Sequence, residues 1–271
     1  MTFADVGDRL TLTPGKTLEF VIEGEFAEGL SAGANNLVTQ ARDAVLAAAG
    51  RRFAFRLTLT KNLPLAAGLG GGTSDAAAAL RLVAAAASSR LGERVLGQLA
   101  SKLGADGPAC LRARTLVAEG RGERLRPAPR MPVLDAVLVN PRVASPTPKV
   151  YAAFDRQGRA RAPDRFPVRD AFQDPFEVAE FLRSCRNDLE APAQGLVGEI
   201  GEVLRLLGGQ EETLIARLSG SGATCFALCP DATAARRLSA RVQADRPRWW
   251  VRPCRLGGSP PARPAPPLRA D

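Results

Sequence analysis

The chain has 271 residues, 45% of them hydrophobic and 24% charged, with a formal net charge of +9 and no histidine. That is too much apolar material for a disordered chain and enough for one large core or two modest ones, so two domains are expected. No run of about 18 or more apolar residues occurs, and the start MTFADVGDRL lacks the basic and apolar regions of a signal peptide, so a cytoplasmic protein with no membrane partner is expected.

DRLTLTP and TLEFVIEG are rich in Thr, Leu, Val and Phe and read as strands around a turn at Pro14 and Gly15. Asn35 and Asn36 can cap a helix from about Asn36 to Ala49, with Leu37, Ala41, Val45, Leu46 and Ala49 as its apolar stripe. In FAFRLTLTK, Phe53, Phe55, Leu57 and Leu59 alternate with Ala54, Arg56, Thr58 and Thr60, the period of a half-buried strand. NLPLAAGLGGG follows, and then an alanine-rich helix in TSDAAAALRLVAAAASSR, with Thr73 as its cap and Asp75 in its first turn. ERVLGQLASKL predicts a helix stopped by Gly104, LRARTLVAEG a strand, and residues 126–132 a proline-rich connector at which the first domain, 1–128, ends.

The second domain, 129–256, opens on the strand VLDAVLVNP and a short helix from Thr147 to Phe154, followed by a charged loop over 156–175. Helices around Phe176–Ser184 and Leu196–Leu207 precede the strands TLIARLSG and TCFALCP, a helix capped by Asp231, and the strand RWWVRPC, making an α+β sandwich. The tail 257–271 has too little apolar content to pack and is expected to be disordered.

Cys110, Cys185, Cys225, Cys229 and Cys254 are scattered, and without histidine they make a poor zinc inventory, so they are expected to be reduced and mostly buried, with no metal site. The positive charge raises a nucleic-acid-binding alternative, but the basic residues are almost all dispersed arginines and none interleaves with aromatics. No nucleic-acid partner is expected; the charge can help attract an anionic small molecule.

The informative segment is Pro64, Leu65, Ala66, Ala67, Gly68, Leu69, Gly70, Gly71, Gly72, Thr73 and Ser74, between a strand and a helix. Residues without side chains let backbone N–H groups approach phosphate oxygens, and the helix turns its positive end toward the same anion. Thr73 and Ser74 add hydroxyls for phosphate or a phosphate-bound magnesium ion. The loop lacks the Gly-Lys-Ser/Thr ending of a Walker A motif and the spacing of a Rossmann turn.

LPLAAGLGGGTSDAA resembles the ATP-binding motif of the GHMP kinases, in the triple-glycine form typical of the diphosphocytidyl-methylerythritol kinases. The resemblance continues in order through LGADGPACL, NPRVASPTPKVYAAF, RNDLEAPA and RLSGSGATCFAL, over roughly residues 3–256. It implies a two-domain GHMP fold, an N-terminal α/β domain and a C-terminal ferredoxin-like α+β domain with the active site in the cleft between them. It also implies ATP and Mg2+ as cofactors, a cytidine diphosphate conjugate of methylerythritol as the small-molecule substrate, phosphorylated on its 2-hydroxyl, and a monomer or weak homodimer.

Asp106 alone would be a turn former; the resemblance makes it the base that accepts the substrate hydroxyl proton, with Gly107 standing where the family has a larger residue. The loop of Gly220, Ser221 and Gly222 could be a bare hairpin turn; the resemblance makes it the third motif, which closes the cleft. Tyr151, otherwise a tyrosine packed on its own helix, falls where the family stacks an aromatic on cytosine, with Thr147 beside the substrate. Lys61 and Asn36, otherwise a surface residue and a cap, match positions near adenine and ribose. PAKINL-like and DGYH-like elements that usually open such chains are absent, and with them a lysine expected beside the catalytic aspartate. A start codon placed too far downstream is the expectation; a truncated nucleotide-binding relative, or another GHMP kinase acting on mevalonate, homoserine or a sugar, is the alternative.

Overall fold

The period-two segment is the centre of the first sheet. The computed structural model describes residues 1–50, 53–87, 91–158 and 169–257. β1 (Arg9–Pro14) and β2 (Leu18–Glu23) flank β3 (Phe55–Thr60), antiparallel and parallel to it respectively. The turn at Pro14 and Gly15 thus joins two strands that do not pair with each other, because β3 enters between them. Phe55, Leu57 and Leu59 point into the core and Arg56 to solvent, as the alternation requires.

Three helices cover that sheet: α1 (Leu37–Ala49), α2 (Gly71–Ala86) and α3 (Glu93–Leu103). Asn36 caps α1, its Oδ1 accepting the Val38 N–H at 2.9 Å. The buried face of α2 is Ala76, Ala79, Leu80 and Val83, small enough to bring α1 close, and these side chains join Val38, Ala41, Val45 and the inward residues of β3 in one core.

The segment after α3 differs from the sequence expectation. Leu111 and Arg112 end a short helix, α4 (Gly107–Arg112), and only Leu116–Glu119 is a strand, β4. Arg81 on α2 donates to the carbonyls of Cys110 and Leu111 at 3.1 Å, satisfying helix-end acceptors that would otherwise favour an extended chain. β4 pairs with β5 (Arg124–Pro127), whose last two residues read in sequence as the start of the connector.

The second sheet contains β6 (Leu134–Asn140), β7 (Ile215–Leu218), β8 (Cys225–Cys229) and β9 (Trp250–Leu256) in the order β7-β8-β6-β9, every neighbouring pair antiparallel. This is the ferredoxin-like order. Between β6 and β7 come α5 (Thr147–Arg156), α6 (Pro175–Ser184), α7 (Glu190–Leu196) and α8 (Gly198–Gly208). The helix expected over Leu196–Leu207 is α8, which starts after Val197 turns extended, and α7 before it was not expected. α9 (Ala232–Asp245) is capped by Asp231 as expected.

One face of the second sheet packs with α8 and α9 around Ile200, Val203, Leu207 and Leu238. The other carries Trp250, Leu228 and Leu256, and against it lie α6 together with Val6, Phe26, Leu63 and Leu69 from the first half of the chain. Residues 3–5 run along β9, with Asp5 N–H donating to Arg255 O at 3.1 Å.

Cys110, Cys225, Cys229 and Cys254 are free and buried, and burial pushes the thiols of the last three up to about 12. Among the described residues no helix is long and apolar enough to cross a membrane. The middle of the expected charged loop, 159–168, and nearly all of the expected disordered tail, 258–271, lie outside the described residues.

Candidate active site

The glycine run forms the start of α2 itself rather than a loop ahead of it. Gly70 occupies the N-cap position at φ 65°, a left-handed entry that glycine adopts without cost, and the first intrahelical bond runs from Ser74 N–H to Gly70 O at 2.9 Å. Thr73 is therefore not the cap, and Asp75 is not in the first turn. Gly71, Gly72 and Thr73 have N–H groups at the positive end of a sixteen-residue helix with no side chain capping them. Gly72 is exposed, and Leu37, next to the capping Asn36, would lie 3.9 Å from a Cβ there, so the start of α1 flanks the loop.

Beneath this loop is a buried charge cluster. Lys61, at the end of β3, is only 4% exposed and its ammonium donates to Asp75 Oδ2 at 2.9 Å and to Asp8 Oδ2. Asp8 Oδ1 accepts the N–H groups of Asn62 and Leu63 at 2.7 and 2.9 Å, tying the chain between β3 and the loop to the N-terminal stretch. A Cβ on Gly71 would sit 3.5 Å from Asp8 Oδ2 and 3.8 Å from Lys61 Nζ, so the helix start rests directly on the cluster. Burial raises Asp75 to about 7 against the pull of Lys61, with Asp8 pushing the same way as burial. Burial alone would lower Lys61, but the two carboxylates outweigh it and hold the ammonium above its ordinary value.

The loop between β7 and β8 closes on the glycine loop. Ser219 Oγ donates to Gly68 O at 2.9 Å and Thr224 N–H to Ala67 O at 3.0 Å. Gly68, at φ 70°, is packed so closely that a Cβ would overlap the backbone of Ser219 and Gly222. From the other side Ser145 Oγ donates to Ser221 O at 2.7 Å, and the hydroxyls of Thr147 and Ser221 lie 2.8 Å apart. Tyr151 is one turn further along α5 and half exposed.

Asp106 is exposed at the N-cap of α4. Its turn adjoins the glycine loop: a Cβ on Gly104 would lie 3.9 Å from Thr73 Oγ1, and Ser74 Oγ is 3.4 Å from Cys110 Sγ. Gly107 is buried against α3, and a Cβ there would overlap the Ala100 carbonyl. A residue larger than glycine at this position would not fit between α3 and α4 as they are packed here.

The structure thus brings Pro64–Ser74, the Asp106 turn, Thr147 and Gly220–Gly222 into one region, with Asn36 at its flank and Lys61 beneath rather than at an open surface. Asp8, Asp75, Ser145 and Asn187 were missed as site residues. Asp75 carried a signal, an acid three residues after the glycine run, but Asp8, which shares Lys61 with it, is 53 residues from Lys61 and nothing local in sequence connects them.

The family models for the GHMP kinases N terminal domain and the GHMP kinases C terminal match residues 36–114 and 169–247. A 4-diphosphocytidyl-2-C-methyl-D-erythritol kinase of Caulobacter vibrioides (strain NA1000 / CB15N) is 51% identical over 258 residues, covering 94% of this chain and 89% of the relative. One from Hyphomonas neptunium (strain ATCC 15444) is 42% identical over 255 residues, covering 93% and 85%. A crystal structure of a 4-(cytidine 5'-diphospho)-2C-methyl-D-erythritol kinase superposes with a TM-score of 0.74 at 33% identity, over 95% of this chain and 89% of that one. A homoserine kinase from Cytophaga hutchinsonii, at 16% identity and a TM-score of 0.69 over 95% and 88%, shares the fold. With both domain models matched and half of all aligned residues identical to a full-length relative, the chain belongs to the GHMP kinase family, on the branch of the 4-diphosphocytidyl-2-C-methyl-D-erythritol kinases.

Proposed function

We propose that this enzyme transfers the γ-phosphoryl group of ATP to the 2-hydroxyl of 4-diphosphocytidyl-2-C-methyl-D-erythritol, a step in making isoprenoid precursors without mevalonate. The observation that carries the reading is the placing of the Asp106 turn against the start of α2, beside Thr73. An acceptor for a hydroxyl proton then stands next to a set of N–H groups suited to phosphate.

In this reading Pro64–Ser74 cradle the ATP phosphates, and the start of α1 at Asn36 borders the adenosine. Tyr151 stacks on the cytosine with Thr147 beside it, and Gly220, Ser221 and Gly222 close the cleft. Asp106 accepts the proton as the substrate oxygen attacks the γ-phosphorus; the bond to the β-phosphate oxygen breaks, and ADP leaves with that electron pair. Lys61 supports the loop from below instead of touching the nucleotide. A magnesium ion neutralises phosphate charge in such transfers. Among the described residues no group of three or more Asp, Glu, His or Cys is arranged to hold a metal, and Asp75 is committed to Lys61, so the ion fits as one carried chiefly by the nucleotide phosphates.

Replacing Asp106 with Asn tests the assignment. The expected result is a fall in kcat of about 10² to 10⁴-fold with ATP affinity retained; unchanged turnover removes Asp106 from the mechanism. A screen of alcohols for ATP consumption overturns the substrate if mevalonate, homoserine or a sugar outperforms the cytidine conjugate.

A further inference from the structure

The segment RNDLEAPA matches the family in sequence, yet the reading above gives it no task. In the structure Asn187 reaches the loop between β7 and β8: its Nδ2 donates to Gly220 O at 2.8 Å and to Leu218 O at 3.2 Å, while its Oδ1 accepts the Leu189 N–H at 3.1 Å. Glu190 from the same segment accepts the Leu218 N–H at 3.2 Å.

Peptide planarity turns these contacts into a statement about the cleft. In a trans peptide the C=O of one residue and the N–H of the next point in opposite directions. Ser219 O is held by the Gly222 N–H at 2.9 Å, Gly220 O by Asn187, and Ser221 O by the fully buried Ser145 at 2.7 Å. The N–H groups of Gly220 and Ser221, carried on the first two of these peptides, have no acceptor among the described residues. Carbonyl oxygens repel anions and N–H groups attract them, so whichever donors hold the carbonyls decide the sign of the field this loop presents.

We propose that Asn187 is a positioning residue. By holding the Gly220 carbonyl it keeps the Ser221 N–H turned toward a phosphoryl oxygen of a bound substrate, with Ser145 bracing the next peptide. The inference rests on the kinase reading in that the anion is a phosphoryl group of one of its two phosphorylated substrates, the adenine or the cytidine nucleotide.

The test is equilibrium binding of ADP, CDP, adenosine and cytidine to the unmodified protein and to Asn187→Asp and Ser145→Ala, each checked for intact folding by thermal melting. Asn187→Asp sets a carboxylate against the Gly220 carbonyl, so the peptide is expected to turn and binding of ADP or CDP to weaken about tenfold or more. The corresponding nucleoside should be unaffected, and whichever diphosphate loses affinity identifies the source of the phosphoryl group. Acidification that protonates the new carboxyl should restore part of the loss, since a carboxylic acid can donate to Gly220 O, and a merely structural role would show no such recovery. Ser145→Ala should weaken the same diphosphate to a smaller degree, and it decides the matter if Asn187→Asp fails to fold. Equal weakening of nucleoside and diphosphate, or unaltered diphosphate binding in folded variants, overturns the proposal. If the unmodified protein binds neither diphosphate more tightly than its nucleoside, the kinase reading itself fails and the proposal with it.

Discussion

Lys61 Nζ donates to Asp75 Oδ2 at 2.9 Å in a buried cluster beneath the helix start on which the glycine loop ends. With Asp8 on the same ammonium the cluster holds two carboxylates against one cation, and burial keeps Asp75 protonated up to about pH 7. A carboxyl held above its unfolded value contributes stability that is present at low pH and lost as pH rises through the folded value. The melting temperature of the unmodified protein should therefore fall relative to that of Asp75→Asn between about pH 4 and pH 7. Thermal denaturation of both across that range is the measurement, and a constant difference would show that Asp75 does not titrate there.

Gly107→Ala probes how firmly the Asp106 turn is seated. The added methyl meets the Ala100 carbonyl, so α4 must move away from α3. Overpacking of this kind costs about 1–3 kcal/mol of stability. Displacing the turn by even 1 Å should lower kcat by about 10²-fold, with the KM for ATP much less affected. Steady-state kinetics beside a urea titration separates the two effects.

Tyr151 is half exposed, so its removal should hardly change stability. Tyr151→Ala should weaken the cytidine substrate by about 1–3 kcal/mol if the ring stacks on the base, and leave the KM for ATP alone. A Phe at the same position should keep nearly full affinity, because the ring face does the stacking.

The core under α2 sets the global stability. Leu80 is fully buried between α1, α3 and β3, and Leu80→Ala should destabilise the protein by about 2–5 kcal/mol in denaturant unfolding.

What could be read from the sequence was local. β3 alternates cleanly, α1 has its asparagine cap, and the glycine run lies between a strand and a helix, so each is marked by residues a few positions apart. α4 escaped because six residues beginning Gly-Pro carry no helical period, and its end depends on Arg81 from another helix. Thr73 had the chemistry of a cap, but Gly70 could adopt the left-handed entry three residues earlier, which no hydroxyl residue does as easily. The roles of Asp8 and Asn187 lie in contacts with chain 53 and 33 residues away, and only the folded chain brings those groups together.

Leu69 sits in the middle of the glycine loop, yet its side chain packs against the apolar cluster that holds Leu63 together with Trp250 and Leu256 from the second half of the chain. A loop anchored in this way cannot open as a small independent unit, since releasing it exposes apolar surface shared by both halves. Proteolytic cleavage within it should require the large-scale openings that also release the strands of the second sheet, at rates far below those of an ordinary glycine-rich surface loop. The segment richest in glycine is thereby among the least free to move.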